Sequence, residues 1–262
     1  MKRFLLLISF FAIVKIFAQQ LTGSPLETRQ QIKTNSLIEI AKSYLETPYA
    51  AHTLDKWEHE KLTIRTDSVD CVTFVEYVLT QAFSSSFEEN LKKIRYRNGI
   101  IDGYTSRLHY ISDWIENGIY MKFIQDITAI HSSDSVMLSL SYMSSHPQLY
   151  RQLSESHSNI QKIIEYERRL TGKSVYILPK SKLPSTGLPW INDGDIIAIT
   201  SNQKGLDIAH IGFAYYINGY LHLLHASSSL GKVVVSTHPL TYMLKKNKSW
   251  SGIRVMRILN NE

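Results

Sequence analysis

The chain has 262 residues, a formal net charge of +6 at pH 7 and one cysteine. A lone cysteine excludes a disulfide within the chain, and the modest charge, with no dense basic block, argues against nucleic-acid binding. A chain of this length can bury a large core without disulfide bonds.

Residues 1–18 have the pattern of a secretory signal peptide. Lys2 and Arg3 precede an apolar run from Phe4 to Val14, and Ala18 offers a small residue for cleavage. The run is shorter than the roughly 20 residues that a membrane span requires, and no cysteine near residue 19 could carry a lipid. We therefore expect a periplasmic or secreted protein with no stable membrane anchor, and we expect it to be a monomer.

Helical spacing of apolar residues dominates the first part of the mature chain. A helix over 34–45 is ended by Thr47-Pro48, because a residue before proline avoids the helical region. A second helix is predicted over 71–83, and the region from 88 to 170 is mostly helical in pattern. Within it we expect helices over 87–96, 106–116 and 159–170 and a short strand over 123–128.

Strand patterns take over after Val175. Asn218-Gly219 separates two of the predicted strands and is a strong hairpin signal. Helices followed by antiparallel strands predict an α+β fold, in a single catalytic domain over 19–262 with a large helical insertion at about 88–170. The predicted strands cover 195–201, 210–217, 220–225, 232–237 and 252–259.

Cys71 stands where the second helix is expected to begin, with Asp70 as its cap. The helix dipole at that position favours the thiolate, which is the nucleophilic form of cysteine. A small, inert core cysteine is the alternative. The polar approach through Asp67 and Ser68 favours a reactive position at the mouth of a helix.

Histidines on two neighbouring predicted strands could serve this thiol. A cysteine nucleophile needs a base within hydrogen-bond reach and a third group that orients the base. His210 begins one strand, and His222 and His225 lie on the next. Because they are three positions apart, His222 and His225 point to opposite faces of a regular strand and compete for the third place.

The order of the cysteine motif and the two histidine motifs along the chain resembles that of the NlpC-type papain-fold cysteine peptidases of bacterial cell walls. The resemblance is closer still to the N-acetylmuramoyl-L-alanine amidase-like branch, and it spans roughly 35–259. It rests on Thr47-Pro48-Tyr49, on Asp70-Cys71-Val72-Thr73-Phe74-Val75, on His210-Ile211-Gly212-Phe213 and on Leu224-His225-Ala226-Ser227.

The resemblance implies a cysteine amidase with a papain-like core. Cys71 would be the nucleophile, His210 its base and His225 the residue that orients the base. Tyr49 and Asp70 would lie beside the nucleophile, where negative charge develops on the substrate. The bond cut would be the amide between (1,6-anhydro-)N-acetylmuramic acid and L-alanine in peptidoglycan fragments, by way of a thioester.

Polar and aromatic residues of the insertion are expected to bind this substrate. Aromatic faces pack on sugar rings and guanidinium groups pair with carboxylates, and a muropeptide offers both. Core aromatics and surface ion pairs would give the same composition. The candidates are Arg95, Tyr96, Arg97, Tyr104, Arg107, His109, Tyr110 and Trp114, with Asp207 and Ser227 near the histidine strands.

No metal and no cofactor are expected. His52 and His59 lie near two glutamates but lack the spacing of a zinc site, and no glycine-rich phosphate loop is present. Three other interpretations stay open. They are a D-glutamyl-diaminopimelate endopeptidase, a catalytically inactive muropeptide-binding protein, and a papain-like protein protease, which valine rather than tryptophan after Cys71 disfavours.

Overall fold

A mixed set of helices surrounds one main antiparallel sheet in the computed structural model, which describes residues 37–259. The helices are α1 (37–43), α2 (Cys71–Ala82), α3 (Phe87–Arg95), α4 (Ile111–Tyr120), α5 (Thr128–His131), α6 (Tyr142–Ser145), α7 (Arg151–Ser154), α8 (His157–Leu170) and α9 (Leu240–Lys246). Short 3-10 turns cover Arg97–Gly99, Tyr104–Ser106 and Pro147–Leu149.

The strands are β1 (Ile124–Asp126), β2 (Ser135–Met137), β3 (Ser174–Tyr176), β4 (Leu178–Pro179), β5 (Ile196–Ser201), β6 (Ile208–Ile217), β7 (Tyr220–Ser227), β8 (Lys232–Val235) and β9 (Trp250–Ile258). The main sheet has the order β1-β9-β5-β6-β7-β8, and β4 also pairs with β9. β2 and β3 form a separate two-stranded ribbon. The predicted α+β fold is therefore confirmed.

Both faces of the main sheet are covered, which explains the apolar sequence of its central strand. In β5, Ile196 and Ala198 belong to the core that α2 completes, whereas Ile197 and Ile199 belong to the core that α9 completes. A strand buried on both faces reads as a continuous apolar run rather than as an alternation. The sheet thus forms the middle layer between two groups of helices and loops.

The predicted helical insertion is only partly separate from the rest of the fold. α3 and α4 contribute Leu91, Ile94 and Trp114 to the core shared with α2, and β1 pairs with β9 at the edge of the main sheet. A distinct apolar cluster forms later, mainly from residues 138–170. The predicted insertion, 88–170, therefore includes residues of α3, α4 and β1 that belong to the main core.

The predicted helix over 106–116 was wrong at its beginning. Arg107 pairs with Tyr96 in an isolated bridge, and the Leu108 amide donates to the Arg95 carbonyl, so these residues are extended. The helix begins at Ile111 instead and continues to Tyr120. Local spacing of apolar residues could not reveal this pairing with a segment eleven positions earlier.

The hairpin signal is confirmed. Asn218 and Gly219 join β6 to β7, and both have positive φ angles, 50° and 80°. Such angles suit the tight turn whose twist matches its strands. The proposed signal peptide and the first residues of the predicted helix over 34–45 lie outside the described residues. Within 37–259, no helix has the length and apolar character needed to cross a membrane.

Candidate active site

Cys71 is the first residue of α2, and its neighbours fix that position. The Asp70 carboxylate accepts hydrogen bonds from the amides of Val72 and Thr73 at 3.1 and 2.8 Å. In return, the Thr73 hydroxyl accepts from the Asp70 amide at 2.9 Å, which completes a capping box. Asp70 therefore acts as the helix cap, and its carboxylate is engaged by the helix itself.

The Cys71 sulfur lies against strand β6. It faces the backbone N–H of Ile211, the residue that follows His210, and the cysteine is partly exposed. Burial, with the charge of Asp70 second, raises the pKa of the Cys71 thiol to about 12, while the Ile211 N–H acts in the opposite direction. A thiol with this pKa keeps its proton at pH 7. Within residues 37–259 no hydrogen bond joins this sulfur to the His210 ring, whose Nε2 is bonded to His225.

His210 on β6 and His225 on β7 form a hydrogen-bonded pair. His210 Nε2 lies 2.7 Å from His225 Nδ1, and the two rings are nearly perpendicular. Gly212 allows this approach, because a Cβ there would lie 2.9 Å from the His225 Cβ and 2.7 Å from the Leu224 carbonyl. The competing His222 is elsewhere, bonded to the Ser236 carbonyl at 2.7 Å.

Both rings are neutral at pH 7. Burial, with His225 second, lowers the pKa of His210 to about 3, and burial lowers the pKa of His225 to about 4. A neutral imidazole carries one proton, so one nitrogen of the 2.7 Å pair donates and the other accepts. If His210 Nε2 donates, its Nδ1 keeps a free lone pair, and this tautomer is the one in which His210 can act as a base.

Tyr49 is placed beside Cys71 by two backbone pairings. Tyr49 itself bridges Val69 just before α2, and its amide donates to the Gly231 carbonyl at 2.8 Å. Burial, followed by the charges of Cys71 and Asp70, raises the pKa of the Tyr49 hydroxyl to about 12. The hydroxyl therefore keeps its proton and can donate a hydrogen bond.

Ser227, expected at the substrate, caps the turn after β7. Its side chain is buried and its hydroxyl accepts from the Leu230 amide at 3.3 Å. Asp207 is also buried, and its carboxylate accepts from the Ser112 amide at 2.6 Å. Burial raises the pKa of Asp207. Both polar ends are engaged inside the protein, and substrate contact by either residue stays a prediction.

Arg95 and Tyr96, two expected substrate contacts, are also interior. Arg95 is 1% exposed, and its Nε donates to the Glu76 carboxylate on α2 at 2.7 Å. The Tyr96 hydroxyl, equally buried, donates to Glu60 at 2.8 Å. Both hold the loop that precedes Cys71 against the helices, because Arg95 also donates to the Thr63 carbonyl at 2.6 Å.

Arg107, Tyr104 and His109 form a second interior group. Arg107 pairs with Asp55 at 2.6 Å and lies near Glu60. The rings of Tyr104 and His109 lie 4.4 Å apart, and the His109 Nε2 bonds the Tyr104 carbonyl at 2.9 Å. Burial lowers the pKa of His109 to about 3, so this ring is neutral.

The remaining expected contacts differ in exposure. Trp114 is 1% exposed in the main core, and the buried Tyr110 donates to Glu167 at 2.7 Å. Neither can meet a substrate without rearrangement of the interior. Arg97 is partly exposed, pairs with Asp113 at 2.8 Å and covers a tyrosine ring of α8. Its role in substrate binding stays a prediction.

Sequence reasoning missed the buried partners of these residues and one aromatic neighbour of the histidines. Glu76 and Asp55 lie 19 and 52 positions from the arginines that they bind, so no local pattern could pair them. Trp250 stands next to His210, and its position just before the predicted last strand was the only available signal. Among residues 37–259, no cluster of three potential metal ligands occurs.

The site thus has a cysteine at a helix N-terminus, and this cysteine faces a strand that carries one of two paired histidines. The family model for N-acetylmuramoyl-L-alanine amidase-like proteins (AmiA-like) matches residues 39–253. The chain therefore belongs to this amidase-like family.

Solved structures agree with this membership. The chain is similar to an N-acetylmuramoyl-L-alanine amidase from Bacteroides uniformis, with 54% identity over 87% of this chain and 99% of the other and a TM-score of 0.86. It is also similar to a Bacteroides fragilis protein described provisionally as a xylanase, with 52% identity, 84% and 99% coverage and a TM-score of 0.83.

A more distant protein from Legionella pneumophila shares the fold alone, with 24% identity over 95% of this chain and 94% of the other and a TM-score of 0.66. No curated protein is similar enough to match the chain.

Proposed function

We propose that the protein is a cysteine amidase that cuts the amide between (1,6-anhydro-)N-acetylmuramic acid and L-alanine in peptidoglycan fragments. The observation that carries the proposal is the 2.7 Å pair of His210 and His225, because the cysteine at the helix N-terminus faces the backbone of Ile211, next to His210. Family membership and the Bacteroides uniformis relative support the amidase reaction and a peptidoglycan-fragment substrate.

In the first half of the reaction, Cys71 Sγ attacks the lactyl carbonyl carbon. His210 Nδ1 takes the thiol proton during the attack, because the free thiol and imidazole are both neutral. The tetrahedral intermediate collapses with cleavage of the C–N bond. The proton on His210 goes to the amine of L-alanine, and the peptide leaves while the sugar stays attached to Cys71 as a thioester.

In the second half, water replaces the peptide. His210 takes a proton from the water as its oxygen attacks the thioester, and the sulfur leaves with that proton. The products are the sugar with a free lactyl carboxylic acid and the regenerated thiol. His225 keeps the His210 ring oriented in both halves through the bond to Nε2.

Negative charge that develops on the carbonyl oxygen needs donors. The Cys71 amide at the start of α2 and the protonated Tyr49 hydroxyl are the candidates. Asp70 acts indirectly, because it caps α2 and so fixes the first helical turn, which carries the Cys71 amide.

Several broader expectations belong to the same proposal. The core would be papain-like, the protein would act as a monomer, and residues 1–18 would direct export before removal. N-terminal mass analysis of protein recovered outside the cytoplasm tests the leader. A chain beginning at Gln19 is expected, and an intact Met1 on the recovered protein would contradict export by this route.

Product analysis tests the proposed reaction. Incubation with a defined anhydro-disaccharide tetrapeptide should give the free anhydro-disaccharide acid and the intact tetrapeptide by mass spectrometry. Cys71→Ala should abolish turnover while binding persists. His225→Gln should lower kcat strongly, whereas His222→Gln, a matched control on the same strand, should leave it close to wild type, because His222 is bonded away from the pair.

Other products would redirect the assignment. Cleavage between D-glutamate and diaminopimelate would show an endopeptidase, and tight binding without cleavage by a folded protein would show a binding protein. Xylan serves as a negative control. Glycoside hydrolysis canonically requires two carboxylates across the scissile bond, whereas the candidate site presents a thiol and two imidazoles.

A further inference from the structure

Trp250 lies beside the histidine pair and has no role in the mechanism above. Its indole is nearly parallel to the His210 imidazole, with an angle of 6° between the planes and 6.2 Å between the ring centroids. The side chain is partly buried against the core on the α9 side of the sheet. This separation is within the range in which aromatic rings interact in an offset arrangement.

The local irregularity of the sheet brings the two rings together. Trp250 begins β9 and His210 lies on β6, so β5 runs between them. The pairing register of β5 shifts on both sides of Thr200, once against β6 and once against β9. Such irregularities near active sites re-aim side chains. A 2.7 Å bond between the Thr200 and Ser251 hydroxyls holds the start of β9 in place.

We propose that Trp250 is a positioning residue for His210, whose indole fixes the plane of the imidazole and excludes water from one side of it. Nε2 then stays on His225, and Nδ1 stays free for the thiol proton. The inference rests on the proposed function in one respect, namely that His210 is the base. It adds a residue from the far end of the chain to the site.

Few charged groups surround His210, so the effect of the Trp250 indole on the pKa of His210 can be measured. The titratable group that contacts it is His225 on β7, while Cys71 of α2 lies against the backbone of the next residue, Ile211, and β5 has no titratable group. Asp207 is turned to an amide of α4, and Arg254 of β9 is paired with a carboxylate of β1. Burial is therefore the main cause of the low pKa of His210, and hydration after removal of the indole would raise that pKa toward its ordinary value of 6.5.

The test measures Cys71 reactivity against pH in the full chain, with 2,2′-dipyridyl disulfide, which reacts at acidic pH. Wild type should keep most of its neutral-pH rate at about pH 5, whereas Trp250→Ala should lose half of it near pH 6, as the pKa of the thiol–imidazole pair rises. Trp250→Phe should restore the wild-type profile. Trp190→Ala is the matched control, because that indole stacks on His131 and should leave the profile unchanged.

Kinetics on the anhydro-muropeptide give the second readout. Trp250→Ala should lower kcat by about tenfold with KM within about twofold, since positioning acts on proton transfer rather than on binding. An unchanged reactivity profile, or a rise in KM alone, would overturn the proposal. If Trp250→Ala fails to fold by circular dichroism, Trp250→Leu replaces it with the same expectations. If the wild type cuts no muropeptide but Trp250→Ala still shifts the reactivity profile, the proposed function is rejected and the role of Trp250 is retained.

Discussion

Cys71 and His210 have opposite pKa shifts, and this defines the chemistry of the free enzyme. The sequence predicts a thiolate favoured by the helix dipole, whereas the structure has a neutral thiol and a neutral imidazole. A helix dipole contributes about 0.3–1 kcal/mol, which is less than one pKa unit. Burial outweighs it and raises the thiol pKa to about 12. In the proposed mechanism, proton transfer therefore accompanies attack on the substrate instead of preceding it.

Neutral buried histidines also predict acid sensitivity of the fold. The folded pKa values of His109, His210 and His225 are about 3, 3 and 4, below the ordinary 6.5. Below about pH 6.5 the unfolded chain binds protons that the folded protein excludes, so stability is present above that pH and falls as the pH falls toward these folded values. Each histidine contributes at most about 1.4 kcal/mol per pH unit to the loss.

Urea unfolding at about pH 7 and pH 5 measures this effect. Wild type should be clearly less stable at the lower pH, and His109→Gln should reduce the difference by about one third, because one of three such groups is removed while the bond to the Tyr104 carbonyl can be kept. Equal pH dependence in the two proteins would show that His109 is not excluded from protonation.

At the scale of elements, Asp70 both caps α2 and places a negative charge next to the Cys71 thiol. Asp70→Ala should destabilise the protein by about 1 kcal/mol, because two amides lose their acceptor. Asp70→Asn keeps an acceptor but removes the negative charge that raises the Cys71 pKa. We expect the asparagine variant to unfold like wild type and to react faster with iodoacetamide at mildly alkaline pH. Loss of stability in both variants, with no gain in reactivity, would assign the whole effect to the cap.

A buried ion pair joins α2, the helix that begins at Cys71, to α3. Arg95 of α3 and Glu76 of α2 are 1% and 3% exposed and lie 2.7 Å apart. Removal of one partner leaves an uncompensated buried charge, so Arg95→Met should cost about 3–5 kcal/mol. Lys42→Met, which breaks an exposed pair with Glu39, is the control and should have no measurable effect. Urea midpoints of the two variants compare them, and a similar small change in both would contradict an interior role for Arg95.

Some elements were predictable and others were not, for reasons that the structure makes visible. The helix at Cys71 has a cap and an apolar face within twelve residues, so its bounds follow from local pattern. The hairpin at Asn218-Gly219 is similarly local. The start of α4 depends on the bridge between Tyr96 and Arg107, which local spacing does not encode.

At the scale of the whole molecule, the histidine pair could be predicted from local sequence, whereas the surroundings of the expected substrate contacts could not. His210 and His225 lie on hairpin-connected strands, so their approach follows from the turn. The sequence predicts substrate contacts for arginine and tyrosine residues of 95–110 from their residue types alone. It does not reveal that most of these side chains are buried. Their partners come from Asp55, Glu60, Glu76 and Glu167, up to 57 positions away. They stabilise the loop and helices around the site.

Within residues 37–259, the main sheet thus organises four side chains from distant parts of the chain. Cys71 comes from the helix on one face and lies against Ile211, His210 and His225 come from a hairpin, and Trp250 comes from the start of the last strand. The central claim is that the sulfur of Cys71 becomes acylated by the lactyl group of the sugar.

Peptide mapping of an acid-quenched turnover mixture tests that claim most directly. With the anhydro-disaccharide tetrapeptide as substrate, the peptide that contains Cys71 should gain the mass of the anhydro-disaccharide lactyl acyl group, with no amino acid attached. An adduct on Cys71 that also carries L-alanine and D-glutamate would identify an endopeptidase. Rapid product formation by Cys71→Ala, or an adduct on another residue, would contradict the assignment of Cys71 as the nucleophile.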